Sequence, residues 1–146
     1  MAEGRTSTVE LNWEGGFKFT SADANGHTIS VDAPQNDGDE FEGFRPCELL
    51  LTSLAGCSGI DVANILTRQR QHVTGLEIKV KGTQLPDPPW AVAEIELEYI
   101  IRGKNLREKQ VERAIDLSEN KYCSVGATIE GNTKITSSFT IIQEED

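Results

Sequence analysis

Apolar and polar residues alternate with a period of two in several stretches of the chain, and each stretch predicts a strand buried on one face. Val9, Leu11 and Trp13 alternate with Thr8, Glu10 and Asn12. After a Gly15-Gly16 turn, Phe17 and Phe19 alternate with Lys18 and Thr20. Asn25-Gly26 then reverses the chain into a short run with Ile29 and Val31. Further on, Leu76, Ile78 and Val80 alternate with Glu77, Lys79 and Lys81. Ile95, Leu97, Tyr99 and Ile101 do so with Glu94, Glu96 and Glu98, and a last strand holds Ile135, Ser137, Phe139 and Ile141. The link Pro86-Asp87-Pro88-Pro89 belongs to neither strand nor helix interior.

Two segments follow a helical period instead. Pro46 opens a long helix, expected to run to about Gln71. Its apolar residues Leu49, Leu50, Leu51, Leu54, Ala55, Ile60, Val62, Ala63, Ile65 and Leu66 cover more than one stripe. Such a helix is expected to be buried on several sides, one of them against a second copy of the chain. Gly56 and Gly59 each weaken the helix by about 1 kcal/mol relative to Ala, so their place beside Cys57 predicts close backbone approach. Asn105-Leu106-Arg107-Glu108 reads as a capping box. The helix after it carries Val111, Ala114, Ile115 and Ser118 on one face and ends near Lys121, ahead of a short helical or irregular segment from Ser124 to Glu130. Residues 33–45 are acidic and aperiodic and are expected to form a mobile loop, either a connector or a lid. Three strands, a helix, two strands, a helix and a strand make an α+β chain with largely antiparallel sheet, expected as a single domain over 1–146.

Charge narrows the partners. Fourteen Lys and Arg against 24 Asp and Glu leave −10 at pH 7. A field of that sign repels phosphate backbones and anionic lipid, so neither nucleic acid nor a membrane surface is an expected partner. The apolar stretch from Leu49 to Val62, broken by Thr52, Ser53 and Asp61, reads as too short and too polar to span a bilayer. Met1-Ala2-Glu3-Gly4-Arg5 has no apolar signal region, and the expected location is cytoplasmic. The only histidines, His27 and His72, fall beside a turn and at a helix end; no zinc spacing involves them, and no metal is expected. Trp13 and Trp90 read as core or rim aromatics.

Three cysteines are too few for a disulfide scaffold. Cys47, Cys57 and Cys123 each read either as a small core residue or as a reactive thiol. The run from Arg45 to Val62, Arg-Pro-Cys-Glu-Leu-Leu-Leu-Thr-Ser-Leu-Ala-Gly-Cys-Ser-Gly-Ile-Asp-Val, resembles the signature helix of the OsmC/Ohr family. It has the Pro-x-Glu-Leu opening and a cysteine nine residues after the acid. The run from Ala114 to Val125, with Lys121-Tyr122-Cys123-Ser124-Val125 at its end, resembles that family's second cysteine segment.

The resemblance implies an OsmC-like fold: an intertwined homodimer with the long helices packed centrally and the sheets outside. It implies a thiol peroxidase acting on organic hydroperoxides, with Cys57 as peroxidatic cysteine and Cys123 as resolving cysteine. No metal or organic cofactor is then needed, and an external dithiol restores the thiols. Two positions depart from the family. The acid that directly follows the proline in characterised peroxidases is replaced by Cys47, and Glu48 stands one step, about 100°, further round. The arginine of the first hairpin is absent, leaving Lys18 there and Arg45 as a substitute cation. Asp61, four residues after Cys57, shares its helix face and reads either as orienting the thiol or as a local structural residue that binds Ser58 or a neighbour's donor. Tyr122 abuts Cys123 and is a candidate for lining the site. Walls from Leu50, Leu54, Ile60, Phe41 and Phe44 would favour alkyl peroxides. With Cys57 near the free thiol value of about 8.5, activity would rise steeply toward that pH. Two other functions fit the same pattern: a non-enzymatic module binding a small apolar ligand, and a thiol redox sensor.

Overall fold

The computed structural model describes residues 3–145. The chain, expected as a single domain over 1–146, clusters into two compact units, one reaching to Leu49 and one starting at Leu50. The first holds β1 (Val9–Trp13), β2 (Phe19–Asp23) and β3 (Thr28–Val31), paired antiparallel in that order. The turn between β2 and β3 is fixed by Asp23, whose carboxylate accepts the N–H groups of Asn25 and His27. Gly26 supplies the positive φ of 90° that the turn requires. The alternation in β1 does not bury a face: the strand is exposed throughout, with Val9 at 62% and Trp13 at 67%. Segment 33–45 contains no strand or helix but is strapped to β3. Asp32 accepts from Ala33 and Glu42, Phe44 donates to Ser30, and Asp32 donates to Phe44. A side chain at Gly43 would meet the Ser30 carbonyl oxygen at 2.6 Å, so only glycine permits this strap.

Helix α1 (Pro46–Arg68) opens at the expected proline and stops three residues before the expected Gln71. It is followed by β4 (His72–Gln84), β5 (Val92–Lys104), α2 (Glu108–Leu117), a π turn (Ser118–Tyr122), α3 (Ser124–Ile129) and β6 (Lys134–Gln143). β4 and β5 are antiparallel; β5 and β6 are parallel. The parallel pair departs from a wholly antiparallel sheet because α2, the π turn and α3 form the crossover that parallel neighbours need.

Ile95, Leu97, Tyr99 and Ile101 of β5 are buried together with Leu54, Val62 and Leu66 of α1 and Val111, Ala114 and Ile115 of α2. Within the chain α1 buries a single stripe, Leu54, Ser58, Val62 and Leu66, at steps of four. Ile60 is 73% exposed, so the expected burial on several sides is not met by this chain's own residues. At 23 residues α1 is also long and apolar enough to cross a membrane by length and composition, which corrects the reading taken from Leu49 to Val62 alone. Its buried stripe belongs instead to the core of the second unit.

Two local expectations fail. A Cβ at Gly59 would meet Ile78 Cδ1 at 3.0 Å, as close approach requires, but Gly56 has nothing within 4 Å. The capping box does not form, because Asn105 turns to a φ of 54° and Arg107 becomes the N-cap without a side-chain bond. The free N–H groups of Leu106 and Arg107 go instead to the side chains of Gln143 and Gln71. Trp90 is exposed and lies outside the core.

Candidate functional site

Asp61 stands four positions after Cys57, so α1 presents both on one face. Cys123 follows the π turn. The five-residue π turn closes with the Cys123 N–H donating to the Ser118 carbonyl at 2.7 Å. Such wide turns are rare and occur often at functional sites. Beyond it, Cys123 caps α3, its Sγ accepting from Gly126 N at 3.3 Å. Cys57 Sγ, Cys123 Sγ and a carboxylate oxygen of Asp61 lie within 4.8 Å of one another. Cys47, Cys57 and Cys123 are free thiols.

The two sulfurs differ in acidity. Burial pushes Cys57 upward, but hydrogen bonds from the Val125 N–H, the Cys123 thiol and the hydroxyl and N–H of Ser124 outweigh it, and the thiol is held below its ordinary value. Its Sγ stands 3.7 Å from Ser124 Oγ. The expected climb of activity toward pH 8.5 assumes a thiol at its free value; the bonds to Cys57 act to lower that value. Burial drives Cys123 the other way. The Gly126 N–H opposes it, but the hydrogen bond and charge of Cys57 and the charge of Asp61 reinforce it, and the thiol is pushed up to about 11.

Behind the sulfurs lies a buried row of hydroxyls. Tyr99 Oη, fully buried on β5, is hydrogen-bonded to Ser58 Oγ. Ser58 and Ser118 share a hydrogen bond of 3.1 Å, and Ser118 Oγ donates to Asp61 Oδ2 at 2.9 Å. Burial pushes Tyr99 up to about 12, against the Ser58 bond that lowers it and with the charges of Glu119, Cys123 and Asp61 raising it. A cavity of about 130 Å³ opens beside Cys123, lined by Leu54, Ser58, Leu97, Glu119, Gly126 and Ile135 among others. Glu119 Oε1 is buried without a hydrogen-bond partner.

The sequence missed Tyr99, Ser58, Ser118 and Glu119 as site residues. One signal was available: Ser58 and Ser118 stand at inward positions of otherwise apolar helix faces. Of the expected alkyl walls, Leu54 lines the cavity, whereas Ile60 faces away from the chain's interior. Tyr122 is exposed.

The remaining accessory candidates belong to the first unit. Lys18 pairs with Glu42 at 2.9 Å and Glu14 at 3.8 Å, and the Glu42 bond raises its pKa. The Arg45 guanidinium lies over the Phe41 ring, 4.8 Å from its centre, and the Arg45 N–H donates to Glu48 Oε1 at 2.9 Å. Cys47 is half-buried. As for metals, two thiols and a carboxylate are donor types that a thiophilic ion accepts. The trio is one ligand short of a closed structural zinc set.

Residues 34–138 match the family of OsmC-like proteins. Protein YhfA of Escherichia coli K12 is 36% identical over 134 residues, covering 92% of this chain and 97% of YhfA. The crystal structure of a hypothetical protein from Aquifex aeolicus VF5 superposes with a TM-score of 0.86 at 34% identity, covering 97% of this chain and all of that one. An organic hydroperoxide resistance protein OsmC from Legionella pneumophila shares the fold at a TM-score of 0.71 and 16% identity, with 95% and 99% coverage.

Proposed function

This chain belongs to the OsmC-like family, and from that premise we propose that it reduces organic hydroperoxides, with Cys57 attacking as thiolate and Cys123 resolving. The observation that carries the reading is the opposed acidity of two neighbouring sulfurs. A peroxide is attacked by a thiolate, and Cys57 is the sulfur whose charge is supported. Cys123, protonated at neutral pH, adds no second negative charge to the pair.

The Cys57 thiolate displaces an alcohol from the O–O bond, the alkoxide takes a proton, and Cys57 becomes a sulfenic acid. Cys123 then displaces water from that sulfur to form a disulfide. An external dithiol reduces the disulfide and returns both thiols. In this reading the backbone N–H of Val125 and the Ser124 groups support the thiolate, in place of the family's arginine. Leu54, Leu97 and Ile135 offer an alkyl tail the burial that hydrogen peroxide lacks. The working form is a cytoplasmic homodimer. A module that only holds a small apolar ligand is the weaker reading, because holding such a ligand would not call for two neighbouring thiols of opposed acidity.

Steady-state consumption of cumene hydroperoxide with a dithiol tests the proposal. Wild type should turn over, with EDTA making no difference. Cys57→Ser should abolish turnover. Cys123→Ser should complete one turnover and stall with sulfenic or sulfinic acid on Cys57. A wild type inert with every dithiol tried, while Cys57→Ser folds normally, overturns the reading.

A further inference from the structure

Resolution of the sulfenic acid has a proton problem that attack on the peroxide does not share. The Cys123 thiol must lose a proton as its sulfur bonds to Cys57. The hydroxyl leaving Cys57 must gain one to depart as water. The same proton serves both needs if a base lies beside both sulfurs. Asp61 is such a base, with a carboxylate oxygen within 4.8 Å of each, either in contact or across the width of one bridging water.

The row of hydroxyls behind Asp61 gives this placement a direction. A hydroxyl carries one proton, and an ionised carboxylate only accepts. Ser118 Oγ lies in reach of both Ser58 Oγ and Asp61 Oδ2 but has one proton for the two; given to the carboxylate, it leaves Ser58 to donate to Ser118 and Tyr99 to donate to Ser58. All three hydroxyl residues are fully buried, and all their donors run toward one carboxylate. Such a row holds the Asp61 carboxylate in one orientation beside the two sulfurs. The row is built from α1, β5 and the π turn, the elements that place the two cysteines and the strand beneath them.

We propose that Asp61 is the proton shuttle of the resolving step, taking the proton of the Cys123 thiol and delivering it to the hydroxyl that leaves Cys57, with Ser118, Ser58 and Tyr99 as positioning residues that aim its carboxylate. The inference rests on the peroxidase reading and deepens it. Its balance is closed: Cys57–S–OH and Cys123–SH give the Cys57–Cys123 disulfide and water. The S–O bond breaks, the S–S bond forms, and Asp61 ends as it began. The oxidant is the organic hydroperoxide of the first step.

Single-turnover mixing of reduced protein with cumene hydroperoxide separates the two half-reactions. Sulfenic acid is trapped with dimedone and disulfide is followed by mass after acid quench. Asp61→Asn keeps the shape and the acceptor for Ser118 but removes the base. It should form sulfenic acid no more slowly than wild type, a negative charge beside the Cys57 thiolate having been removed, and close the disulfide about 100-fold more slowly, the scale of a lost general base. Ser118→Ala and Tyr99→Phe should slow closure by smaller factors, and Ser118→Ala carries the test if Asp61→Asn does not fold. Closure at the wild-type rate in Asp61→Asn overturns the shuttle, as does slowing of both half-reactions equally, which marks a structural role. Slow closure in Glu119→Gln but not in Asp61→Asn moves the shuttle to Glu119 and overturns the assignment to Asp61. Wild type that forms no sulfenic acid sinks the peroxidase reading itself, and this inference with it.

Discussion

Cys57 and Cys123 have the same side chain and share one neighbourhood, yet the hydrogen bonds reaching them divide their chemistry. Cys57 receives N–H and O–H donors from the segment after Cys123, which favour its charged form. Cys123 is buried deeper and faces the charges of Cys57 and Asp61. Alkylation by iodoacetamide, followed by peptide mass against pH, should show the difference. Cys57 should react with a midpoint below 9.0 and lose rate only as the pH falls through that lowered value, whereas Cys123 should remain slow until the pH nears about 11. Equal midpoints would remove the division of labour. Tyr99 makes a matching statement about stability. Its folded pKa of about 12 exceeds the ordinary 10.0, so between those values the folded chain keeps a proton that the unfolded chain has released. The unfolded state then binds fewer protons, and stability falls as pH rises through that window. Cys123 adds the same sign between 9.0 and about 11. Urea midpoints should therefore drop less steeply for Tyr99→Phe than for wild type between pH 10 and 12.

Elements respond to what lies within reach of one added carbon. At Gly103 a Cβ would stand 2.1 Å from the His72 carbonyl oxygen, backbone that has no rotamer to give. Gly103→Ala should prise β4 from β5 at that end and cost about 2 kcal/mol or more by urea unfolding. Gly56→Ala meets nothing within 4 Å in the chain and should leave monomer stability equal or up to about 1 kcal/mol higher, the helix-propensity gain. The same local logic explains what was legible beforehand. Alternation in β4 and β5 and the helical face of α2 depend on neighbours a few residues away, and they appear as read. The two cysteine segments were legible through family wording. The hydroxyl row was not, because Ser58 is 41 residues from Tyr99 and 60 from Ser118, and nothing local links them. Nor was the direction of β6, which its crossover decides. The apparent capping box failed because Gln71 and Gln143, remote in sequence, supply what Asn105 was expected to supply.

At the scale of the whole molecule, apolar groups remain uncovered: Val9, Leu11 and Trp13 on β1, and Ile60 on α1. In the proposed homodimer a second copy would cover Ile60. Light scattering at micromolar concentration should give twice the 16.0 kDa of the chain, and Ile60→Asp should return the mass toward 16.0 kDa. A wild type of single-chain mass would overturn the dimer. The hydroxyl row also constrains how this sequence can drift over evolutionary time. Removing one member strands its buried partner, a penalty of about 1–3 kcal/mol, whereas removing both partners of a pair is nearly neutral. A lineage that exchanges Ser58 for alanine is therefore better off once Tyr99 has become phenylalanine. Positions 58, 99, 118 and 61 form one inheritable unit spread over three elements, and substitutions among them are expected to arrive in pairs.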